Sequence, residues 1–109
     1  MIIVRVIMNV RPEKRKELMQ TFLSMIQAAG KEKGCLSYDV FYDLEDNRVF
    51  SLIEEWKTRE DLYHYIKSDR FSVLLGTKSL LCDPSQIQIH TVSLSEGMES
   101  VNATRGIGT

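Results

Sequence analysis

The stretch EKGCLSYDVFYDLEDNRVFSLIEEWKTREDLYHYIKSDRF, residues 32–71, predicts a β-hairpin that runs directly into a helix. Residues 36–42 and residues 48–56 alternate between apolar and polar side chains, which is the period of a β-strand. Thr58 is a suitable N-cap for the helix that follows, with Asp61 three residues later. The alternation groups two sets of residues on shared strand faces: Leu36, Tyr38, Val40 and Tyr42, and then Phe50, Leu52, Glu54 and Trp56.

The segments on either side of this hairpin complete a regular order of elements. Residues 2–10 alternate as a strand, and helical spacing of apolar residues begins after Pro12, which suits a first helical turn. Ser68 or Asp69 can cap a further helix after an interruption of the second one. Residues 87–92 alternate as a last strand. The chain is therefore predicted to run strand, helix, strand, strand, broken helix, strand.

This order predicts an α+β domain with the ferredoxin-like β-α-β-β-α-β topology, in which helices cover one face of a four-stranded antiparallel sheet. The other face carries apolar residues, Ile3 and Ile7 among them, and is too apolar to remain in water. We therefore expect a homodimer in which two sheets stack face to face. The domain is predicted to cover residues 1–95, and residues 96–109 read as a tail that is flexible or ordered by a partner.

The composition narrows the possible partners and compartments. A formal net charge of −1, with basic and acidic residues interspersed, argues against nucleic acid and against a polybasic membrane patch. No apolar run is long enough to span a bilayer, and the apolar N-terminus reads as a strand rather than a signal peptide. Cys35 and Cys82 lie far apart and are expected to be reduced, largely buried thiols of a cytoplasmic protein. We find no spacing typical of metal ligands.

The hairpin and the helices after it resemble the antibiotic biosynthesis monooxygenase (ABM) superfamily. The resemblance rests on an E-x-G-C-x-x-Y motif, an E-x-W motif and an S-x-x-F motif. In this sequence those motifs are formed by Glu32, Gly34, Cys35 and Tyr38, by Glu54 and Trp56, and by Ser68 and Phe71.

The resemblance implies a dimeric α+β barrel with a pocket between the sheet and the helices. It also implies an oxygenase without flavin or metal, in which a deprotonated phenolic substrate itself reduces dioxygen while the protein supplies a base and a dry cavity. Many members place a histidine nine residues after the motif tryptophan. Here that position is Tyr65, and His64 precedes it, which rotates the histidine by about 100° around the helix.

Six residues are the candidates for a site. Tyr65, His64 and Glu54 are the candidate catalytic residues. The candidate substrate-binding residues are Trp56, Phe71 and Tyr38. Each has a purely structural alternative: His64 as a surface residue, Glu54 as half of a buried salt bridge with Arg5, and the aromatic residues as core or interface. A second histidine, His90, is expected at the dimer interface or in the pocket.

Two hypotheses for function follow. The first is a cofactor-independent monooxygenase that acts on a small quinol or polycyclic phenol. The alternative is a non-catalytic dimeric protein of the same fold that binds a small aromatic molecule or has a regulatory role. An isomerase or decarboxylase on the same dimeric barrel is a third option.

Overall fold

The computed structural model describes residues 1–106 as four strands and four α-helices. The strands are β1 (Ile2–Asn9), β2 (Cys35–Tyr42), β3 (Val49–Trp56) and β4 (Gln86–Thr91). The helices are α1 (Arg15–Ala29), α2 (Arg59–Ile66), α3 (Asp69–Gly76) and α4 (Met98–Arg105). Short 3-10 turns at Pro12–Lys14 and Thr77–Leu80 precede α1 and follow α3.

The strands form a single sheet in the order β2-β3-β1-β4, and every neighbouring pair is antiparallel. This topology confirms the predicted α+β ferredoxin-like fold. The buried face of β1 is the predicted one, since Ile2, Val4, Val6 and Met8 are all at most 5% exposed. Burying each such side chain contributes about 1.5–3 kcal/mol, so this alternation alone specifies which face of the sheet meets the helices.

Helix α1 covers the β2–β3 half of this face with one apolar stripe. Its buried residues are Leu18, Phe22, Met25 and Ala29. The ring of Phe22 lies 6.0 Å from that of Phe50 on β3. The predicted face of β3 is also confirmed, because Phe50, Leu52, Glu54 and Trp56 are all buried.

The predicted face of β2 is wrong at its first residue. A β-bulge between Cys35 and Ser37 shifts the register, so that Cys35 pairs with Trp56 and packs against the core. Leu36 is the extra residue, and it is 57% exposed. Beyond the bulge the predicted alternation returns, with Tyr38 buried and Val40 packed against the core.

Gly34 makes the tight turn that leads into β2. Its φ of +79° lies in the left-handed region, and a Cβ at this position would overlap the side chain of Asp61 on α2. Its carbonyl accepts a hydrogen bond from the Lys57 amide at 2.8 Å. Glycine is therefore required here, because the turn brings the start of β2 against the start of α2.

The edge strand β4 and the C-terminal segment are more exposed to solvent than the other elements. All six residues of β4 are exposed, including Ile87 and Ile89, although both share a face with buried residues of β1. The predicted tail contains a helix that the sequence analysis did not predict, α4, which buries no residue. Residues 107–109, the end of that tail, lie outside the described residues.

The face of the sheet opposite the helices is half-buried and mixed in character. It carries Ile3, Ile7 and Ile53 beside the exposed Arg5. No helix of residues 1–106 is long and apolar enough to cross a bilayer. The two cysteines are free thiols, but the expectation that both are largely buried is wrong for Cys82, which is exposed because it lies in the loop before β4.

Candidate active site

The interior of the domain contains one hydrogen-bonded pair of side chains on β3. The indole Nε1–H of Trp56 donates to Oε1 of Glu54 at 2.8 Å, and neither side chain is exposed. The other carboxyl oxygen, Oε2, is buried with no hydrogen-bond partner among the described residues. A salt bridge with Arg5 is not formed, because Arg5 pairs with Ile53 and points to the opposite face of the sheet.

Burial dominates the ionisation of this carboxyl group. The loss of hydration raises the pKa of Glu54 from 4.5 to about 7, and the hydrogen bond from Trp56 only partly opposes that shift. A carboxyl group with such a pKa exchanges its proton near neutral pH. Perturbed titratable groups of this kind are typical of functional sites.

Helix α2 brings Tyr65 over this pair. The helix begins at its predicted cap, where the Thr58 hydroxyl accepts a hydrogen bond from the Asp61 amide at 3.1 Å. The Tyr65 ring stacks on Trp56 with centroids 4.9 Å apart, and the Phe71 ring lies at right angles to it with centroids 5.6 Å apart. Ser68 both donates to the Tyr65 carbonyl and caps α3, so the predicted break between the helices positions Phe71.

Tyr38 completes the group from the neighbouring strand. Its backbone pairs with that of Glu54, and its hydroxyl is buried without a hydrogen-bond partner of normal geometry in residues 1–106. Burial, reinforced by the nearby Tyr65, raises the pKa of Tyr38 well above its usual range. Burial likewise raises the pKa of Tyr65 to about 12. Both phenols therefore stay protonated at neutral pH and act as hydrogen-bond donors.

A cavity of about 170 Å³ opens between α1 and α3 beside this group. Its lining residues are Ser24, Met25, Ala28, Ala29, Tyr65, Arg70 and Val73. Tyr65 thus belongs both to the cavity wall and to the aromatic stack on Trp56. Arg70 bridges the two helices, since its Nη1 donates to the Ala28 carbonyl at 3.0 Å and to Glu32 Oε1 at 2.9 Å.

Five of the six candidate residues come together, and His64 does not. Glu54, Trp56, Tyr38, Tyr65 and Phe71 form one cluster, whereas His64 lies on the exposed side of α2. His90 is exposed on β4 and pairs with Ile3, on the sheet face away from the helices. Within the part of the chain that the structure describes, no three His, Cys, Asp or Glu side chains are grouped as metal ligands.

Comparison with known proteins identifies the family. The family model for antibiotic biosynthesis monooxygenase matches residues 1–74. The chain belongs to the antibiotic biosynthesis monooxygenase family. The solved structure of a conserved protein from Methanosarcina mazei Go1 is 33% identical to it, with a TM-score of 0.78 over 82% of this chain and 89% of that chain.

Two curated relatives are more distant. YcnE from Bacillus subtilis, provisionally named a monooxygenase, is 27% identical over 80% of this chain and 93% of its own length. An uncharacterized protein from Synechocystis is 26% identical over 78% of this chain, which spans only 58% of that protein.

The motifs of the sequence include most residues of the cluster, but they do not include Arg70 at the cavity. Glu54, Trp56, Tyr38 and Phe71 belong to the motifs named above, and Tyr65 lies nine residues after Trp56. Arg70 was missed, because nothing in the spacing indicates that a residue early in α3 reaches the end of α1.

The raised pKa of Glu54 predicts a dependence of stability on pH. The folded state keeps the proton up to about pH 7, while the unfolded chain releases it near 4.5. This contribution to the free energy of unfolding is therefore full below pH 4.5 and is lost as the pH rises through 7. Between pH 5 and pH 8 the loss is on the order of 2 kcal/mol.

Urea unfolding of the wild type and of Glu54→Gln at pH 5 and pH 8 measures this loss. The glutamine variant should lack this contribution. Its free energy of unfolding, measured relative to that of the wild type, should therefore be higher at pH 8 than at pH 5. Glu60→Gln changes an exposed residue of α2 and is the matched control. Its free energy of unfolding should change between pH 5 and pH 8 as that of the wild type does. If Glu54→Gln kept the wild-type dependence of the free energy of unfolding on pH, the pKa of Glu54 would not be raised in the folded protein.

Proposed function

We propose that this protein is a monooxygenase that acts on a small quinol or phenol without flavin or metal, with Glu54 as the proton acceptor. The observation that carries the proposal is the buried Glu54 carboxyl, whose pKa of about 7 suits a general base at neutral pH. The family supports the class of reaction. The group of Glu54, Trp56, Tyr38, Tyr65 and Phe71 supports its location.

The chemistry needs only the substrate, dioxygen and a base. A deprotonated quinol is electron-rich and can reduce dioxygen directly. The ring becomes a hydroxyquinone, one oxygen atom enters the ring, and the other leaves as water, so the quinol supplies all four electrons. The protein's part is to remove the proton, orient the ring and exclude water.

The residues of the cluster take different parts in this proposal. Glu54 does not line the cavity, whereas Tyr65 does, so we propose that the Tyr65 and Tyr38 hydroxyls relay the proton: one accepts it from the substrate hydroxyl as the other gives its own to the Glu54 carboxylate. Their raised pKa values make them donors rather than bases. Trp56 stacks on Tyr65 and Phe71 packs at right angles to it, so the two rings hold Tyr65 in place.

We also propose that the protein is a homodimer that stacks the helix-free faces of two sheets. This face carries Ile3 and Ile7, half-exposed, on a strand whose other side is core. Stacking would remove these side chains from water. A cytoplasmic location is part of the same proposal and rests on the free thiols and the composition.

Oxygen consumption tests the catalytic proposal. Purified protein with a chelator and without added flavin should consume dioxygen when given a quinol. Glu54→Gln should lower the rate by about 100-fold or more, because general-base catalysis typically contributes 10²–10⁴-fold. The two controls, Glu60→Gln and His64→Ala, change exposed residues of α2 and should retain the wild-type rate.

Two results would contradict this assignment. A wild-type rate in Glu54→Gln would remove Glu54 from the proposal, and a loss of rate in His64→Ala would restore the histidine. A folded protein that binds quinols but never consumes oxygen would favour the non-catalytic ligand-binding alternative, to which the exposed position of His64 already points.

Sedimentation tests the dimer. Ile3→Asp or Ile7→Asp buries a charge in the proposed interface and should yield a monomeric or aggregated protein. Leu44→Asp is the matched control, because Leu44 is 98% exposed in the turn between β2 and β3 and should leave the dimer intact. A dimer that survives both isoleucine changes would rule out stacking through this face.

A further inference from the structure

The size of the cavity beside Tyr65 limits what it can hold. An apolar cavity of about 150 Å³ accommodates benzene. The cavity here is about 170 Å³, and its walls are mostly small or flexible side chains such as Ala28, Ala29 and Met25. It therefore matches one aromatic ring with small substituents.

The charge at the cavity is supplied by Arg70. It is the charged residue among the lining side chains, and its side chain is 45% exposed. Its two hydrogen bonds both use Nη1, so Nε and Nη2 have no partner among the described residues.

These free donors suit a carboxylate. A guanidinium group binds a carboxylate through two parallel N–H bonds, and such charge-assisted bonds are about twice as strong as neutral ones. Glu32, whose side chain is only 13% exposed, already holds Arg70 on one side and fixes its orientation across the gap between α1 and α3. A ligand carboxylate would meet the remaining edge of the guanidinium.

We propose that the substrate is a single-ring quinol or phenol that bears a carboxylate, with its ring against Tyr65 and its carboxylate on Arg70. This proposal rests on the proposed function for the site, and it narrows the substrate class to aromatic acids. Arg70 is then the residue that determines specificity, and Glu32 is the residue that positions it.

The test compares two probes of the same size in the absence of turnover. 4-Hydroxybenzoate is charged at pH 7, and 4-hydroxybenzamide is its neutral counterpart. Quenching of Trp56, the one tryptophan of the chain and a neighbour of Tyr65, reports binding. The acid should bind about tenfold or more tightly than the amide, because one charge-assisted hydrogen bond supplies at least that difference.

Variants of Arg70 test whether this residue causes the preference for the acid over the amide. Arg70→Gln should bind the acid and the amide equally while still binding the amide as the wild type does, and Arg70→Lys should recover part of the preference. Glu32→Gln keeps an oxygen that can accept the hydrogen bond from Arg70 but removes the competing negative charge, and it should increase the preference. Arg59→Gln is the matched control, because Arg59 bonds Tyr63 and Thr91 outside the cavity and should leave the ratio unchanged.

Several outcomes would overturn the proposal. These are equal binding of the two probes by the wild type, no binding of either, a preference that survives in Arg70→Gln, and binding of the two-ring 2-naphthol as tight as that of phenol. Acid-selective binding without oxygen uptake on 2,5-dihydroxybenzoate would instead contradict only the oxygenase function. Oxygen uptake on neutral quinols without acid-selective binding would contradict only the role of Arg70.

Discussion

The hydrogen bond from the Trp56 indole to the Glu54 carboxyl is the interaction on which the rest of the site depends. A carboxyl group in an apolar core is costly when it is ionised, and a single neutral donor does not offset that cost. The proton is therefore held to about pH 7. The same bond fixes the indole, on which Tyr65 stacks, so one contact couples the ionisation of Glu54 to the aromatic wall of the cavity.

Much of this arrangement could be predicted from local sequence, because it follows from strand alternation and helix capping. The period of two along β3 places Glu54 and Trp56 on the core face, and Thr58 and Ser68 begin the helices that carry Tyr65 and Phe71. These features depend on neighbouring residues alone. The tyrosine nine residues after Trp56, with the histidine one position earlier, was also visible in the sequence.

Other features depend on contacts between distant segments and were not predictable in this way. The bulge at Leu36, which packs Cys35 rather than Leu36 against the core, comes directly after the turn at Gly34, which lies against Asp61. The exposure of Ile87 and Ile89 on β4 follows from the absence of a covering helix within the described residues, not from their own pattern. The reach of Arg70 to Ala28 and Glu32 depends on how α1 and α3 pack.

Tyr65 therefore lies between two kinds of polar group: it stacks on the indole that bonds the buried Glu54 carboxyl, and it shares the wall of the cavity with Arg70. The proposed role of Glu54 depends on its ionisation near neutral pH, which ¹³C NMR titration of its side-chain carboxyl, assigned by comparison with Glu54→Gln, measures residue by residue. We expect a midpoint of about pH 7 in the folded protein. A midpoint near the ordinary value of 4.5 would contradict the proposed role of Glu54 as the base.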